Sequence, residues 1–292
     1  MGKKENKIDI KKIQRSKPIQ ELLNFSIINI DKPSNPTSFG TDVIIKNALN
    51  LNKTSHFGTL DPIVTGVLPI ALGRACRLMQ YFIGKKKKYV GIMQLHQEVD
   101  EKILKQEMEK FIGKINQLPP IKSRVKRAER EREIYSFDIL EINGKNILFE
   151  SEVQAGTYIR KLIHDLGEKI GGAHMLELRR TNASIFEEKN SVTIYEFLDA
   201  VEKYKQGDEK PLRKMLIPGE IVSQVLPIIE VKKFALPKLY QGSPLFKDSL
   251  STKYTKKEID EKLAVFSQNK FIGVYTTIAH QTILAKPEFV FN

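Results

Sequence analysis

Asp61 is the residue whose type and setting point most directly to chemistry. It precedes Pro62 in a segment from Ser55 to Gly66 that is rich in turn-forming residues. Because a following proline disfavours helical geometry, we expect its carboxylate on a rigid, extended loop. Gly58 and Gly66 allow the backbone there to turn sharply or to approach a ligand closely. Such a carboxylate can act as a nucleophile or a general base, although Asp-Pro is also common in ordinary turns.

The charge balance of the chain suits a polyanionic partner. Its 292 residues contain 48 Lys and Arg against 35 Asp and Glu, a formal net charge of +13 at pH 7. No apolar run approaches the roughly 20 residues of a membrane span, and the amino terminus lacks the apolar core of a signal peptide. The single cysteine, Cys76, excludes an internal disulfide and a multi-thiolate zinc site. We therefore expect a cytoplasmic protein with a polyanionic partner and no membrane contact.

The positive charge is concentrated in three segments. Residues 1–20 contain seven Lys or Arg, Lys85–Lys88 is an unbroken run of four lysines, and Lys122–Arg132 contains six basic residues. Such clusters are typical of surfaces that bind nucleic acids. Each is also compatible with a solvated face or tail, and the charge alone does not separate these interpretations.

The elements that must position Asp61 follow from hydrophobic periodicity and turn residues. The predicted strands cover Ser26–Ile30, Tyr89–Leu95, Ile134–Ile142, Asn146–Val153 and Leu176–Ile185. The predicted helices cover Thr41–Leu49, Arg74–Ile83, Glu101–Ile112, Gly156–Ile170 and Tyr195–Tyr204. Asn143-Gly144 is expected to form a tight turn, Thr157 to cap its helix, and Gly171-Gly172 to end it.

The character of the chain changes near residue 218. Prolines then punctuate short β-type runs, of which Lys262–Phe266 and Phe271–Tyr275 are predicted to form a strand pair. The sequence thus predicts three parts: a basic extension over residues 1–23, a mixed body over 24–217, and a small β domain over 218–292.

Several stretches resemble a single family. They are His56–Arg74, Asp31–Ser34, Gly156–Gly167 and Ala173–Thr181, and they follow the family's order. The first resembles the catalytic motif of the TruB/dyskerin family of RNA pseudouridine synthases. Pro119–Arg127 is similar to the archaeal and eukaryotic branch, the catalytic subunit of H/ACA guide-RNA particles. The resemblance covers roughly residues 8 to 292.

The resemblance implies an α+β fold and a set of partners. It implies a catalytic domain with a mixed, largely antiparallel central sheet and a small all-β PUA pseudo-barrel that binds RNA, with the basic extension packed on the latter. The implied partners are H/ACA guide RNA, target rRNA and the H/ACA accessory proteins. Guide-independent modification of the tRNA T-loop is the first alternative, and an RNA-binding scaffold without catalysis is the second.

The resemblance also assigns roles to individual residues. Asp61 matches the catalytic carboxylate, Arg160 the arginine that pairs with it, Tyr89 the aromatic residue stacked on the target base, and Leu178 an apolar residue of the pocket. From pattern alone, the last three would be an ordinary solvated charge and two sheet residues. The implied RNA-binding residues are His56, which helps to hold the flipped nucleotide, and Lys32, Lys88, Lys122, Arg124, Lys126 and Arg127.

Uridine isomerisation suits this set of residues. The C1′–N1 bond must break, the base must rotate, and a carbon of the base must bond to C1′, for which one carboxylate suffices as nucleophile or base. A nearby guanidinium favours the ionised carboxylate, and an aromatic and an aliphatic wall retain the detached base. We expect no cofactor and no metal, since the five histidines are scattered along the sequence.

The sequence departs from the family pattern at a few positions. Asn35 replaces a glycine of the first motif, and we expect the turn to survive because asparagine tolerates positive φ. Phe57 replaces a small residue, and we expect it at the RNA-facing surface. The Gly171-Gly172 loop is one residue shorter than usual. None of these changes removes Asp61, Tyr89 or Arg160.

Overall fold

The computed structural model describes residues 8–119, 127–251, 254 and 258–292. Strands form where β-branched and aromatic residues recur in short runs between turn residues. The strands are β1 (Phe25–Lys32), β2 (Thr54–His56), β3 (Thr65–Gly73), β4 (Lys87–Leu95), β5 (Gly113–Gln117), β6 (Arg130–Asn143), β7 (Asn146–Val153), β8 (Ala173–Ala183), β9 (Phe186–Glu187), β10 (Val192–Thr193), β11 (Ile217–Pro218), β12 (Ile228–Glu230), β13 (Leu245–Phe246), β14 (Lys262–Ser267), β15 (Lys270–Thr277) and β16 (Ile283–Val290).

The helices are short and lie between the strands. They are α1 (Ile10–Ser16), α2 (Ile19–Asn24), α3 (Ser38–Ala48), α4 (Met79–Ile83), α5 (Glu101–Glu109), α6 (Ile159–Ile170), α7 (Ile194–Lys205), α8 (Lys210–Met215) and α9 (Leu236–Tyr240). Turns of 3-10 helix occupy Arg74–Leu78, Glu188–Asn190, Gly219–Gln224, Lys233–Ala235 and Lys247–Ser249. No helix in the described ranges is long and apolar enough to cross a membrane.

The central sheet is mixed and largely antiparallel, as the family resemblance implies. Within the described residues it has eleven strands, in the order β10-β1-β3-β8-β4-β7-β6-β5, with β11, β2 and β9 attached to β1, β3 and β8. Its parallel pairs are β1 with β10 and β3 with β8. The β3–β8 pairing is short, because only Thr65↔Arg179 and Gly66↔Arg180 are in register. This pairing joins the two halves of the sheet.

A second sheet forms in the carboxy-terminal part of the chain. In the part of it that the structure describes, five strands follow the order β12-β14-β15-β16-β13. The predicted strand pair is confirmed, since β14 and β15 pair antiparallel. The short helix α9 also lies in this part, beside the strands.

The hydrophobic core lies on both faces of the central sheet. One face packs against α2, α5, α6, α7 and α8 through residues such as Leu22, Leu104, Leu162, Phe197 and Leu212. The other face shares a continuous cluster with the second sheet, in which Phe25 stacks on Phe271 with ring centroids 5.5 Å apart. Because both faces are covered, β1 and β3 are buried along nearly their whole length.

The amino-terminal segment is tied to the junction near residue 218. Arg213 Nη1 donates to the carbonyl oxygens of Gln14 at 2.8 Å and Lys17 at 2.6 Å, and Lys17 pairs with Glu220 at 2.7 Å. Ile8 packs against the cluster shared with the second sheet. The division into residues 1–23, 24–217 and 218–292 stays a prediction.

The structure corrects several local predictions. Helix α6 begins at Ile159 and has no side-chain cap, because the Thr157 hydroxyl instead donates to the carbonyl of Gln154 at 2.8 Å. Gly171 ends α6 in a left-handed conformation, as expected. The residues between β6 and β7 are 144 and 145, one residue later than predicted.

Candidate active site

Asp61 lies in the loop of residues 57–64 between β2 and β3, here called the Asp61 loop. Its Oδ2 accepts a hydrogen bond from Arg160 Nη2 at 2.6 Å, across 99 residues of sequence. The two side chains are 56% and 53% exposed, so water screens the pair and it contributes little to stability. We infer that the pairing matters for the position of the carboxylate rather than for folding.

Arg160 is placed by the amphipathic pattern of α6. The apolar side chains of this helix, including Ile159, Leu162, Ile163 and Leu166, are buried in the core. Arg160 follows Ile159 in the first turn of this helix, and its side chain lies on the exposed face. From there it reaches Asp61 in the loop.

Tyr89 and Leu178 form an apolar wall on β4 and β8. Tyr89 and Gly91 share a face of β4, and Gly91 is paired with Leu178 across the two strands. A Cβ on Gly91 would lie 2.9 Å from Leu178 Cδ1, so Leu178 covers the space that the glycine leaves. Both wall residues are buried in the same core cluster as Leu60, which anchors the Asp61 loop. On β8, Arg180 is paired with Tyr89 and lies two residues from Leu178. Its guanidinium donates to Gly58 of the Asp61 loop at 3.0 Å, so the structure brings the four predicted site residues to one region.

His56 is held by two partners inside the protein. Its Nδ1 lies 2.6 Å from Asp42 Oδ2, and its Nε2 lies 3.0 Å from Thr59 Oγ1. Its side chain is 19% exposed. Its predicted contact with a flipped nucleotide stays a prediction.

The structure contradicts two expectations about RNA-facing residues. Lys32 is fully buried and therefore does not contact RNA directly. Its ammonium instead donates to the carbonyls of Pro33 at 2.7 Å and Pro62 at 2.9 Å, and so supports the Asp61 loop. Phe57 is 2% exposed and stacks on Phe82 in the core instead of facing RNA. Asn35, by contrast, has the positive φ that was expected, at 89°.

The predicted basic RNA contacts have different environments. Lys88 is partly exposed and pairs with Glu150 at 2.6 Å. Its neighbour Lys87 is buried, so the run of four lysines is not a uniform surface cluster. Arg127 is exposed. The remaining predicted contacts lie outside the described residues: Lys122, Arg124 and Lys126.

Sequence reasoning missed three buried polar residues around the Asp61 loop: Ser38, Lys87 and Arg180. Arg180 donates to the carbonyls of Val67 at 2.8 Å and Gly58 at 3.0 Å. Strand alternation offered a signal, because Arg180 shares a face of β8 with Leu178, which was assigned to the pocket.

One group of side chains in the described residues has the spacing of metal ligands. His164, Asp165 and Glu168 bring their ligand atoms within 4.8 Å of one another on α6. Asp165 already pairs with Lys161, and the group is largely exposed. His96 and His174, which are distant in sequence, also meet, with Nε2 and Nδ1 3.1 Å apart.

Lys87 gives the fold a testable dependence on pH. Burial, with a smaller effect from Arg180, lowers the pKa of Lys87 from 10.5 to about 8. Between these values the unfolded chain binds more protons than the folded one, so the free energy of unfolding rises with pH. From about pH 8 to about pH 9.5, Lys87 should add about 1.5 kcal/mol in the wild type, a gain that Lys87→Met removes.

Urea denaturation at the two pH values measures this gain. Lys85→Met is the matched control, because Lys85 is exposed two residues before Lys87 and the loss of its side chain should leave the wild-type pH dependence intact. Equal pH dependence in Lys87→Met and the wild type would show that the Lys87 ammonium is not desolvated.

Two family models match adjoining parts of the chain. The TruB family pseudouridylate synthase (N-terminal domain) model matches residues 46–159, and the tRNA pseudouridylate synthase B C-terminal domain model matches residues 160–223. The boundary between them falls beside Arg160. Asp61, Tyr89 and Arg160 therefore all lie in matched residues.

Curated relatives and solved structures agree with this match. The probable tRNA pseudouridine synthase B of Methanopyrus kandleri is 47% identical over 231 residues, 78% of this chain and 68% of the relative. That of Archaeoglobus fulgidus is 38% identical over 263 residues, covering 88% and 80%.

The fold is similar to that of solved H/ACA proteins. A structure of a Cbf5–Nop10–Gar1 complex matches with a TM-score of 0.88 and 36% identity, over 96% of this chain and 88% of the matched one. A structure of an H/ACA RNP bound to a substrate RNA containing 2′-deoxyuridine matches with 0.87 and 34%, over 96% and 89%. Since the two family models together match residues 46–223 and a relative is 47% identical over 78% of this chain, the chain belongs to the TruB/dyskerin family and is an RNA pseudouridine synthase.

Proposed function

We propose that this enzyme isomerises uridine with Asp61 as its catalytic carboxylate. The observation that carries the proposal is the exposed Asp61–Arg160 pair in the same region as the wall of Tyr89 and Leu178. Asp61 would attack the sugar or remove a proton from it as the C1′–N1 bond breaks. The wall would retain the detached base until its C5 bonds to C1′ and the C5 hydrogen leaves as a proton.

We also propose that an H/ACA guide RNA selects uridines of rRNA, with accessory proteins assembled on this chain. The support is the similarity over 96% of the chain to proteins solved as H/ACA complexes. The net charge of +13 suits an enzyme that must hold guide and target together. In this proposal the carboxy-terminal sheet is a PUA-like RNA-binding module, and the enzyme works in the cytoplasm.

Guide-independent modification of tRNA is the second candidate. It is favoured by the curated relatives, which are described as probable tRNA pseudouridine synthases B. The chemistry at Asp61 is the same in both candidates, and only the means of selecting the uridine differs.

Reconstitution separates the two candidates. The full chain is assayed on an rRNA fragment with its matched guide RNA and accessory proteins, on the same mixture without guide, and on a tRNA transcript. The readout is tritium released from [5-³H]uridine, because the new C5–C1′ bond displaces that hydrogen. We expect release from the rRNA fragment only with guide. Release from tRNA alone, with none from the guided rRNA, would overturn the guide-directed proposal.

A further inference from the structure

The peptide groups of the Asp61 loop have a common orientation. Three buried side chains hold its carbonyl oxygens: Arg180 donates to Gly58 at 3.0 Å, Ser38 to Leu60 at 3.0 Å, and Lys32 to Pro62 at 2.9 Å. All three donor side chains are at most 1% exposed. The carbonyl side of the loop thus faces the interior of the protein.

The N–H groups that follow these carbonyls face the other way. A trans peptide sets its C=O and N–H antiparallel, and the described residues contain no cis peptide. The N–H groups in question belong to Thr59, Asp61 and Ile63, whose residues are exposed. Within the described part of the chain, none of these three N–H groups has a hydrogen-bond acceptor.

The interior beneath the loop is also positively charged. Lys32, Arg180 and the neighbouring Lys87 are buried, and none forms an ion pair with a described carboxylate. Their hydrogen bonds go to backbone carbonyls instead. Burying cations without a counterion is costly, and burial, with a smaller effect from nearby Arg180, lowers the pKa of Lys32. The positive charge of these buried cations adds to the partial positive charge of the outward-facing N–H groups.

We propose that the N–H groups of Thr59, Asp61 and Ile63, backed by buried Lys32 and Arg180, bind the phosphodiester backbone of the target strand beside the reacting uridine. Unpaired N–H groups that point outward attract an anion, as they do at the edge of a sheet, and the positive interior behind them strengthens this attraction. The Asp61 carboxylate would repel such an anion, but Arg160 pairs with that carboxylate. The anion must come with the substrate, and RNA supplies phosphodiesters next to the target sugar.

Neutral phosphate analogues in the substrate test the proposal, which rests on the proposed isomerase function. A series of substrate RNAs carries one methylphosphonate each, at the phosphates flanking the target uridine and at remote positions in the same strand. At a flanking phosphate we expect the single-turnover rate to fall by at least about tenfold, since charge-assisted hydrogen bonds are lost. Equal rates at flanking and remote positions would overturn the proposal.

A measurement on the protein locates the anion. Inorganic phosphate is titrated into the ¹⁵N-labelled full chain at constant ionic strength, with chloride as the control anion. We expect saturable shifts of the Thr59, Asp61 and Ile63 amides with phosphate, and none at the exposed Gly144 turn between β6 and β7. Shifts that are equal with chloride, or absent at the three amides, would overturn the site. This result is independent of catalysis, so it separates failure of the site from failure of the proposed function.

Discussion

Replacing Asp61 by Asn is expected to lower the single-turnover rate of pseudouridine formation by at least about 10³-fold, the scale of losing a nucleophile or base. Asparagine has nearly the same size but carries no negative charge, so it can neither attack the sugar nor accept a proton. The side chain is 56% exposed, and the fold should therefore be unchanged. Tritium release from [5-³H]uridine in the reconstituted complex measures the rate.

Asp138→Asn is the matched control for this experiment, because Asp138 is an exposed carboxylate on β6. It should retain the wild-type rate. RNA binding by Asp61→Asn should persist, since the basic surface is intact. A rate for Asp61→Asn within a few-fold of the wild type would exclude Asp61 as the catalytic carboxylate.

Replacing Gly66 by Ala is expected to destabilise the protein by about 3 kcal/mol or more. Gly66 has a φ of +99°, and an added Cβ would lie 2.3 Å from the backbone oxygen of Arg180. The flexible end of a side chain could move away from such a contact, but the backbone of β8 cannot. The clash falls on the two-residue pairing of β3 with β8, which joins the halves of the central sheet.

Gly84→Ala is the control for Gly66→Ala, because a Cβ at Gly84 meets nothing within 4 Å. Its φ of −73° is also accessible to alanine. Urea denaturation should show a large loss of stability for Gly66→Ala and little change for Gly84→Ala. Equal stability of the two variants would contradict the close approach of β3 and β8.

The Gly66→Ala change should also lower catalysis in whatever fraction stays folded. Strand β3 continues from the Asp61 loop, and β8 carries Leu178 and Arg180. Separating these strands moves the carboxylate away from the wall and weakens the hydrogen bond from Arg180 to Gly58. A folded variant with normal turnover would show that the β3–β8 register does not position the site.

Local patterns predicted much of the chain correctly. Strands β4, β6, β7 and β8 and the end of α6 at Gly171 follow from alternation or from the conformational preferences of single residues, whereas β3 and β5 were not predicted. The prediction that Phe57 faces RNA was wrong, because its place in the sequence does not show which side chains pack around it. In the structure the rings of Phe82 and Phe186 pack against it.

The buried cations show the same limit more clearly. Lysines are seldom fully buried, so their type predicts a surface position. Lys32 and Lys87 are nevertheless buried, because backbone carbonyls are available to them; the Pro62 acceptor of Lys32 is 30 residues away in sequence. Such an acceptor becomes visible only when the chain is folded.

The sequence by itself identified the family, the polyanionic character of the partner and the carboxylate proposed as catalytic, because these depend on residue types and on short motifs. Only the tertiary structure decided that Arg160 reaches Asp61 across 99 residues. It also decided which cations lie beneath the Asp61 loop and which way the peptide groups of that loop point. These features depend on contacts between segments that are distant in sequence. The energy of such contacts comes from burial and from hydrogen bonds or ion pairs, which no local sequence pattern predicts.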